Sequence, residues 1–405
     1  MANTKITNPE LFNLGDSTSA TQLPVMTTTE RVAMTGLSIG EMIFNSTTDK
    51  VEYWDGTKWY GITYEVTAES PYNNVLYTGS GDTTNGQSIT GIGFKPDLLW
   101  FKSTGTTYYN VLYDSIRGTN AAISSNLVNS TYSNYNRLQS FDNDGFTIKA
   151  NNTADLWKID RSSQPFVAWC FKAGGAAVAN TNGNIASQVS ANVDGGFSIV
   201  KWSGNDTTGG TIGHGLSSTP ELTIIKKTSA TANWQVSLNA SVTGVEGYMN
   251  LDANAALYTT YPLYYTSSNS TVLSSNGTST GTRLYNNQSA NYIAYAFHSV
   301  AGYSKMGSYV GNGSATGPII TLGFEPAFVM VKNTTGTGLW LMSDNKRQTA
   351  ATKTTYLQAQ SSDAEYSPYT WIEYLSNGFQ LKNTGSSLNT NGSTYIFMAF
   401  AVDPT

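Results

Sequence analysis

The chain has 405 residues, 39% of them apolar and 12% aromatic, with only 12% charged and a net charge of −5. That length predicts two to four domains with real cores, and the scarcity of Glu, Lys and Arg leaves little material for helix surfaces. No basic stripe supports nucleic-acid binding, no run approaches the ~18 apolar residues of a membrane span, and the lone Cys170 excludes an internal disulfide. Met1 to Phe12 has no apolar core of signal-peptide length.

Residues 1–30 are polar and read as an extended N-terminal arm. Residues 31–66 read as a β-meander anchor. Glu41-Met42-Ile43-Phe44-Asn45 and Val51-Glu52-Tyr53-Trp54 form two strands, Asp55-Gly56 is a type I′ turn signal, and Lys58-Trp59-Tyr60 opens a third strand. So short a meander cannot sustain a core alone, so it needs a partner. Ile43, Phe44, Tyr53, Trp54, Trp59 and Tyr60 are the expected assembly residues.

From residue 67 onward one unit occurs three times, over 67–173, 195–300 and 301–405. Each copy opens on an aromatic strand and a glycine: Tyr77-Thr78-Gly79, Trp202-Ser203-Gly204, Tyr309-Val310-Gly311. A proline then starts an apolar strand ending in lysine: Pro96 to Lys102, Pro220 to Lys226, Pro326 to Lys332. Each copy closes on an aromatic strand ending at Phe171, Phe297 or Phe400, and the proline precedes that phenylalanine by 75, 77 and 74 residues. Proline suits the first position of a strand because it donates no ladder bond. Leu98 to Phe101 and Phe328 to Val331 are apolar on both faces, so these strands are central or covered by a neighbouring subunit. Asp144-Gly145-Phe146 and Asn377-Gly378-Phe379 mark corresponding hairpins in copies one and three. Many short strands between turns indicate an all-β chain of three tandem β-sandwiches, jelly-roll or concanavalin-like, behind the meander. Residues 174–194, rich in Gly, Ala and Asn, read as a linker or extended strap. Copies two and three, joined by the short Ser299 to Met306, are expected to pack on each other.

Arg31 to Asn45 followed by Val51 to Tyr60 resembles the N-terminal module of many phage tail-fibre and other virion structural proteins. The sandwich copies resemble a repeated β domain of marine and cyanophage-type virion proteins, through Tyr113-Asp114-Ser115-Ile116-Arg117-Gly118, Ala168 to Gly175 and Gly196-Phe197-Ser198-Ile199-Val200. The resemblance implies a virion structural protein, assembled in the host bacterial cytoplasm, and carries over no catalytic residues. A disulfide-free protein released by lysis fits that compartment.

Candidate chemistry is sparse. His214, in Gly213-His214-Gly215, and His298, at a strand end, read as turn or packing residues rather than bases or ligands, and two histidines with one cysteine make no ordinary zinc site. Asp142-Asn143-Asp144-Gly145 has some character of a calcium loop but is explained by its hairpin. Asp114 and Arg117 can brace a turn as an ion pair. The expectation is a protein that is not an enzyme and takes no cofactor or metal. Glycan or receptor contact is the serious option, through Tyr258, Tyr261, Tyr264, Tyr265, Tyr369 and Trp371, with Trp157 and Tyr366 in similar turn-rich sequence. The expected function is a tail-fibre or surface-appendage subunit, trimeric through its N-terminus, binding other virion proteins and a host-surface glycan or protein. Rival readings are a capsid-decoration protein, a glycan-depolymerising enzyme and a free carbohydrate-binding module.

Overall fold

The structure is a computed structural model, and it describes residues 23–48, 50–62, 71–133, 136–151, 154–244, 246–259, 268–275, 286–367 and 369–401. It is almost wholly β and divides into two units, Met1–Thr67 and Ala68–Thr405.

In the first unit four strands lie in chain order: Val25–Met26, Met42–Asn45, Lys50–Trp54 and Trp59–Ile62. The first pair is parallel and the others antiparallel. A five-residue helix, Thr28–Val32, is closed by a capping box between Thr27 and Glu30. The Asp55-Gly56 signal does give a hairpin, but not the two-residue type I′ loop expected. Trp54 pairs with Trp59 across a four-residue loop, and the Asp55 carboxylate accepts from the Thr57 and Lys58 amides at 2.7 Å each. The aspartate side chain replaces the backbone geometry that a shorter turn would require.

In the second unit each copy is a sandwich of one large and one small sheet. The first copy opposes a six-stranded sheet to a three-stranded one, the second a seven-stranded to a two-stranded one, and the third a five-stranded to a four-stranded one. In every copy the proline-led strand (Leu98–Ser103, Leu222–Lys227, Phe328–Asn333) pairs antiparallel with the closing strand (Pro165–Phe171, Asn291–Phe297, Thr394–Phe400) at the centre of the large sheet. Residues 174–194 are not a free strap. Val178–Asn180 and Ser187–Asn192 add two strands to the second copy's large sheet, through Ser187–Asn192 pairing with Phe197–Ser203. An edge strand needs backbone donors and acceptors more than a core-forming composition, so Gly- and Asn-rich sequence serves.

Two-fold alternation along the central strands sorts their side chains between two cores. Leu99, Phe101, Ala168 and Cys170 face the small sheet and form the first copy's own core with Ile89 and Phe146. The third copy does the same with Val329, Val331, Phe397 and Ala399, and the second with Ile225, Tyr292 and Ala294. The opposite faces, including Leu98, Trp100, Trp169, Phe171, Ile224, Tyr295, Phe297, Phe328, Met398 and Phe400, merge into one core shared by all three copies. This is why the strands are apolar on both faces: the cover is the neighbouring copies of the same chain. The packing therefore extends beyond copies two and three to a ring of all three.

The three closing phenylalanines meet at the centre of that ring. Ring centroids are 6.0 Å apart for Phe171 and Phe297, 5.3 Å for Phe171 and Phe400, and 5.8 Å for Phe297 and Phe400. A void of about 10 Å³ beside them is lined by apolar side chains only, room for one water at most and with no polar partner to hold it.

Candidate assembly and contact sites

The described residues of the first unit contain almost no core. Among them only Ile43, Asn45 and Glu52 are buried. Ile43, Asn45 and Glu52 share the sheet face toward which the helix residues Thr28 and Arg31 reach. Arg31 Nη1 meets Glu52 Oε2 at 2.5 Å, Asn45 Nδ2 donates to both Glu52 oxygens at 3.1 Å, and Thr48 Oγ1 donates to Oε1 at 3.1 Å. Desolvation pushes the Glu52 pKa up, but these donors outweigh it and hold the carboxyl below its ordinary value.

The other face carries Val25, Met42, Phe44, Val51, Tyr53 and Tyr60, by register across the four strands. None of the six is buried; Val25 is 68% and Tyr60 38% exposed. Tyr53 and Tyr60 stack at 5.6 Å, with Lys58 Nζ 4.6 Å from the Tyr60 ring. The expected assembly residues thus divide by strand alternation. Phe44, Tyr53 and Tyr60 lie on this apolar face, whereas Ile43 is buried on the helix side, with Trp54 and Trp59 on that same side at 5.7 Å from each other.

In the second unit the repeat motifs hold the ring together. Each motif lysine is buried and reaches a carbonyl of another copy. Lys102 Nζ donates to Ser361 O at 2.9 Å, Lys226 to Val128 O at 2.8 Å and Lys332 to Ala255 O at 2.9 Å. Copy one thus holds copy three, copy two holds copy one, and copy three holds copy two. Burial lowers all three lysine pKa values, to about 7 for Lys102 and about 8 for Lys226 and Lys332. Equivalent side chains one strand further on repeat the cycle. Asn110 Nδ2 donates to Gln358 O and Ala359 O, Trp234 Nε1 to Ser124 O at 2.7 Å, and Trp340 Nε1 to Asn250 O at 2.9 Å. Two residues after each lysine, a carbonyl accepts an inter-copy backbone bond: Thr104 O from Glu365 N, Thr228 O from Thr131 N and Thr334 O from Leu257 N, each at 2.9 Å.

Asp114 and Arg117 form the expected turn brace at 2.6 Å, and Asp114 also accepts from Tyr295 of the next copy at 2.8 Å. The third copy reproduces this with Arg347 on Asp344 at 2.6 Å, and Asp344 accepts from Trp169 Nε1 at 3.2 Å. In the second copy Leu238 takes the aspartate's register position, and Met398 takes the position of Tyr295 and Trp169. The polar pair is thus replaced on both sides together, which avoids an unpaired buried carboxylate.

Both histidines are buried, each with a ring nitrogen against a backbone carbonyl. His214 is buried, with Nε2 against Asn269 O at 3.0 Å and Nδ1 accepting from Leu216 N, and burial lowers its pKa. His298 Nδ1 lies against Ser299 O. Cys170 is buried, and desolvation pushes its thiol pKa far up. In the Asp142–Gly145 hairpin the loop is Asn143-Asp144, and Asp144 caps the Gly91 and Gly93 amides. Among the described residues no group of three His, Cys, Asp or Glu side chains could hold a metal, and no helix is long and apolar enough to cross a membrane.

Of the proposed contact aromatics, Tyr258, Tyr366 and Tyr369 are 40%, 54% and 46% exposed. Tyr261, Tyr264 and Tyr265 lie outside the described residues. Trp371 is a correction. It is 1% exposed, in the third copy's own core, with Nε1 bonded to Thr355 O at 2.9 Å. Trp157 is also buried, stacked on Tyr132 at 5.2 Å. Turn-rich flanking sequence cannot report which way an aromatic ring turns. Tyr132 is 43% exposed, and sequence reasoning missed it. Its strand register matches that of Tyr258 and Tyr366.

No curated protein and no solved structure is detectably similar to the chain. Residues 3–80 match the family described as phage tail like trimerisation region, which covers the first unit and supports a phage tail-type structural protein that forms a homotrimer. Residues 68–404, the ring of three sandwiches, match the family described as Domain of unknown function (DUF7483), and the chain belongs to that family.

Proposed function

We propose that the chain is a non-enzymatic subunit of a phage tail fibre or similar appendage. It trimerises and docks on other virion proteins through residues 1–67 and presents the ring of sandwiches for host attachment. One observation carries the reading. A four-stranded sheet with one buried apolar residue among its described side chains, and an exposed apolar face, coincides with the trimerisation match. The face Val25, Met42, Phe44, Val51, Tyr53 and Tyr60 is assigned to the other two copies of the chain, because a sheet this small gains a core only by packing on equivalent faces around an axis. The body supports a structural role: its buried ionisable groups cross-brace the copies, as Lys102, Asp114 and Asp344 do. The resemblance of its copies to marine and cyanophage-type virion proteins points the same way.

The chain mass is 43.6 kDa, so sedimentation equilibrium should return about three times that value for the intact protein. Phe44→Asp with Tyr53→Asp should yield the monomer mass with the melting temperature of the body unchanged. A monomeric wild type, or a variant that stays trimeric, would refute the assignment. Labelling of intact particles with antibody to the body should decorate the tail; label on the head would instead support the capsid-decoration reading.

A further inference from the structure

We infer that the body carries three equivalent saccharide-binding platforms, one at each seam between sandwiches, centred on Tyr132, Tyr258 and Tyr366. The inference rests on the attachment reading and names its ligand class and its residues.

The equivalence comes from strand register. Tyr132 pairs with Ala122, Tyr258 with Tyr248 and Tyr366 with Tyr356. Each partner immediately precedes the residue (Ile123, Met249, Leu357) that faces Leu112, Val236 or Met342 of the next strand. The residue before each tyrosine (Thr131, Leu257, Glu365) makes the inter-copy backbone bond, which places all three tyrosines at seams. In an extended segment the next side chain points the other way, to solvent. The three rings are 43%, 40% and 54% exposed.

Each ring is held from behind by another aromatic ring. Tyr132 stacks on Trp157 at 5.2 Å, Tyr258 on Tyr248 at 5.0 Å, and Tyr366 lies 5.6 Å from Tyr356. The recurring buried residues, the lysines and phenylalanines, recur because the ring cannot close without them. The backing ring is a tyrosine at the same register position in copies two and three and a tryptophan in copy one, and in all three the tyrosine keeps about half its surface in solvent. A second tyrosine follows three residues later each time, as Tyr135, Tyr261 and Tyr369. Three tyrosines that each pack one face and leave the rest to solvent at equivalent seam positions point to a surface task.

The chemistry selects the ligand. A rigid half-exposed phenol ring offers an apolar face and a hydroxyl at low entropic cost. The residues that follow, Ser133, Thr259 and Ser367, are neutral hydrogen-bonding groups, and the preceding Glu365 is already engaged by Arg347 and Thr355. A neutral sugar, with a C–H face to lie on the ring and hydroxyls for the rim, matches this better than a charged or purely apolar partner. One such contact is weak, and three on one chain, multiplied by trimerisation, give avidity to a repeating polysaccharide without further contacts.

The test uses the full-length protein on an array of bacterial surface polysaccharides with neutral and acidic members, alongside adsorption to whole bacteria. Wild type should bind neutral members. Tyr132→Ala, Tyr258→Ala and Tyr366→Ala should each weaken binding about three- to tenfold, and the triple variant should abolish it, with trimer mass unchanged and the body still folded at the assay temperature. Triple-variant binding equal to wild type on cells overturns the platforms and leaves the attachment reading standing. Binding to acidic members alone, or a change in oligomer mass in the triple variant, overturns the platforms as well. A wild type that binds neither array nor cells overturns both.

Discussion

Removing one of the three axial phenylalanines should destabilise all three sandwiches together. Phe297 is buried, stacks on Phe197 at 4.7 Å and meets both of its counterparts across the axis. Truncation of a buried phenylalanine costs ~3–5 kcal/mol, and the lost ring pairs raise Phe297→Ala toward the top of that range. The adjoining void already lacks partner atoms, so the site has little to collapse onto. For a body of roughly 340 residues the unfolding entropy near ~0.7 kcal/mol/K converts this to a fall of about 6–7 °C. Differential scanning calorimetry of the intact chain should show one body transition that moves as a whole. Phe171→Ala and Phe400→Ala should shift it by similar amounts, and the double variants should fall short of additivity, because all three rings share one site. Separate transitions, of which Phe297→Ala moves only one, would refute the shared core as the source of cooperativity.

The motif lysines predict a pH dependence. Their folded pKa values, about 7, 8 and 8, lie below the ordinary 10.5, so the unfolded chain binds protons that the folded one does not. Their contribution to stability should therefore rise with pH from about 7 toward 10.5, and for Lys102 the full effect is at most ~5 kcal/mol. The neutral amine still donates to Ser361 O, so the ring stays closed. Denaturant midpoints at pH 7 and pH 9 should show the rise, and Lys102→Met should reduce it; a flat or falling profile refutes the assignment. Gly145 and Gly378, both at φ +150, sit where a Cβ would lie 1.9 Å from Ile89 O and 2.0 Å from Ile320 O. Alanine at either position should cost more than ~3 kcal/mol by urea unfolding, and alanine at Gly118, where a Cβ meets nothing within 4 Å, clearly less.

What was legible without coordinates was whatever chain-local physics controls. Proline at the head of each apolar strand, glycine after each hairpin loop and the two-fold alternation of the central strands all follow from backbone sterics and pleat geometry. These make the repeat, the sandwiches and the anchor's lack of a core readable from residue order. The division of Ile43 from Phe44 also follows from alternation once the strand is placed. Other features had to wait for the fold. Lys102 was visible as a motif residue, but its acceptor, Ser361, belongs to another copy, and sequence spacing carries no information about which loop comes to rest beside it. Trp371 and Tyr366 share one turn-rich stretch, yet one is core and the other surface, because the fold decides which face is covered. The Gly- and Asn-rich residues 174–194 became strands because an edge with open donors and acceptors lay beside them. Strand content was settled locally by side-chain chemistry. The closing of three sandwiches around Phe171, Phe297 and Phe400 was settled only when residues far apart in the chain could bury the second faces of their strands against one another.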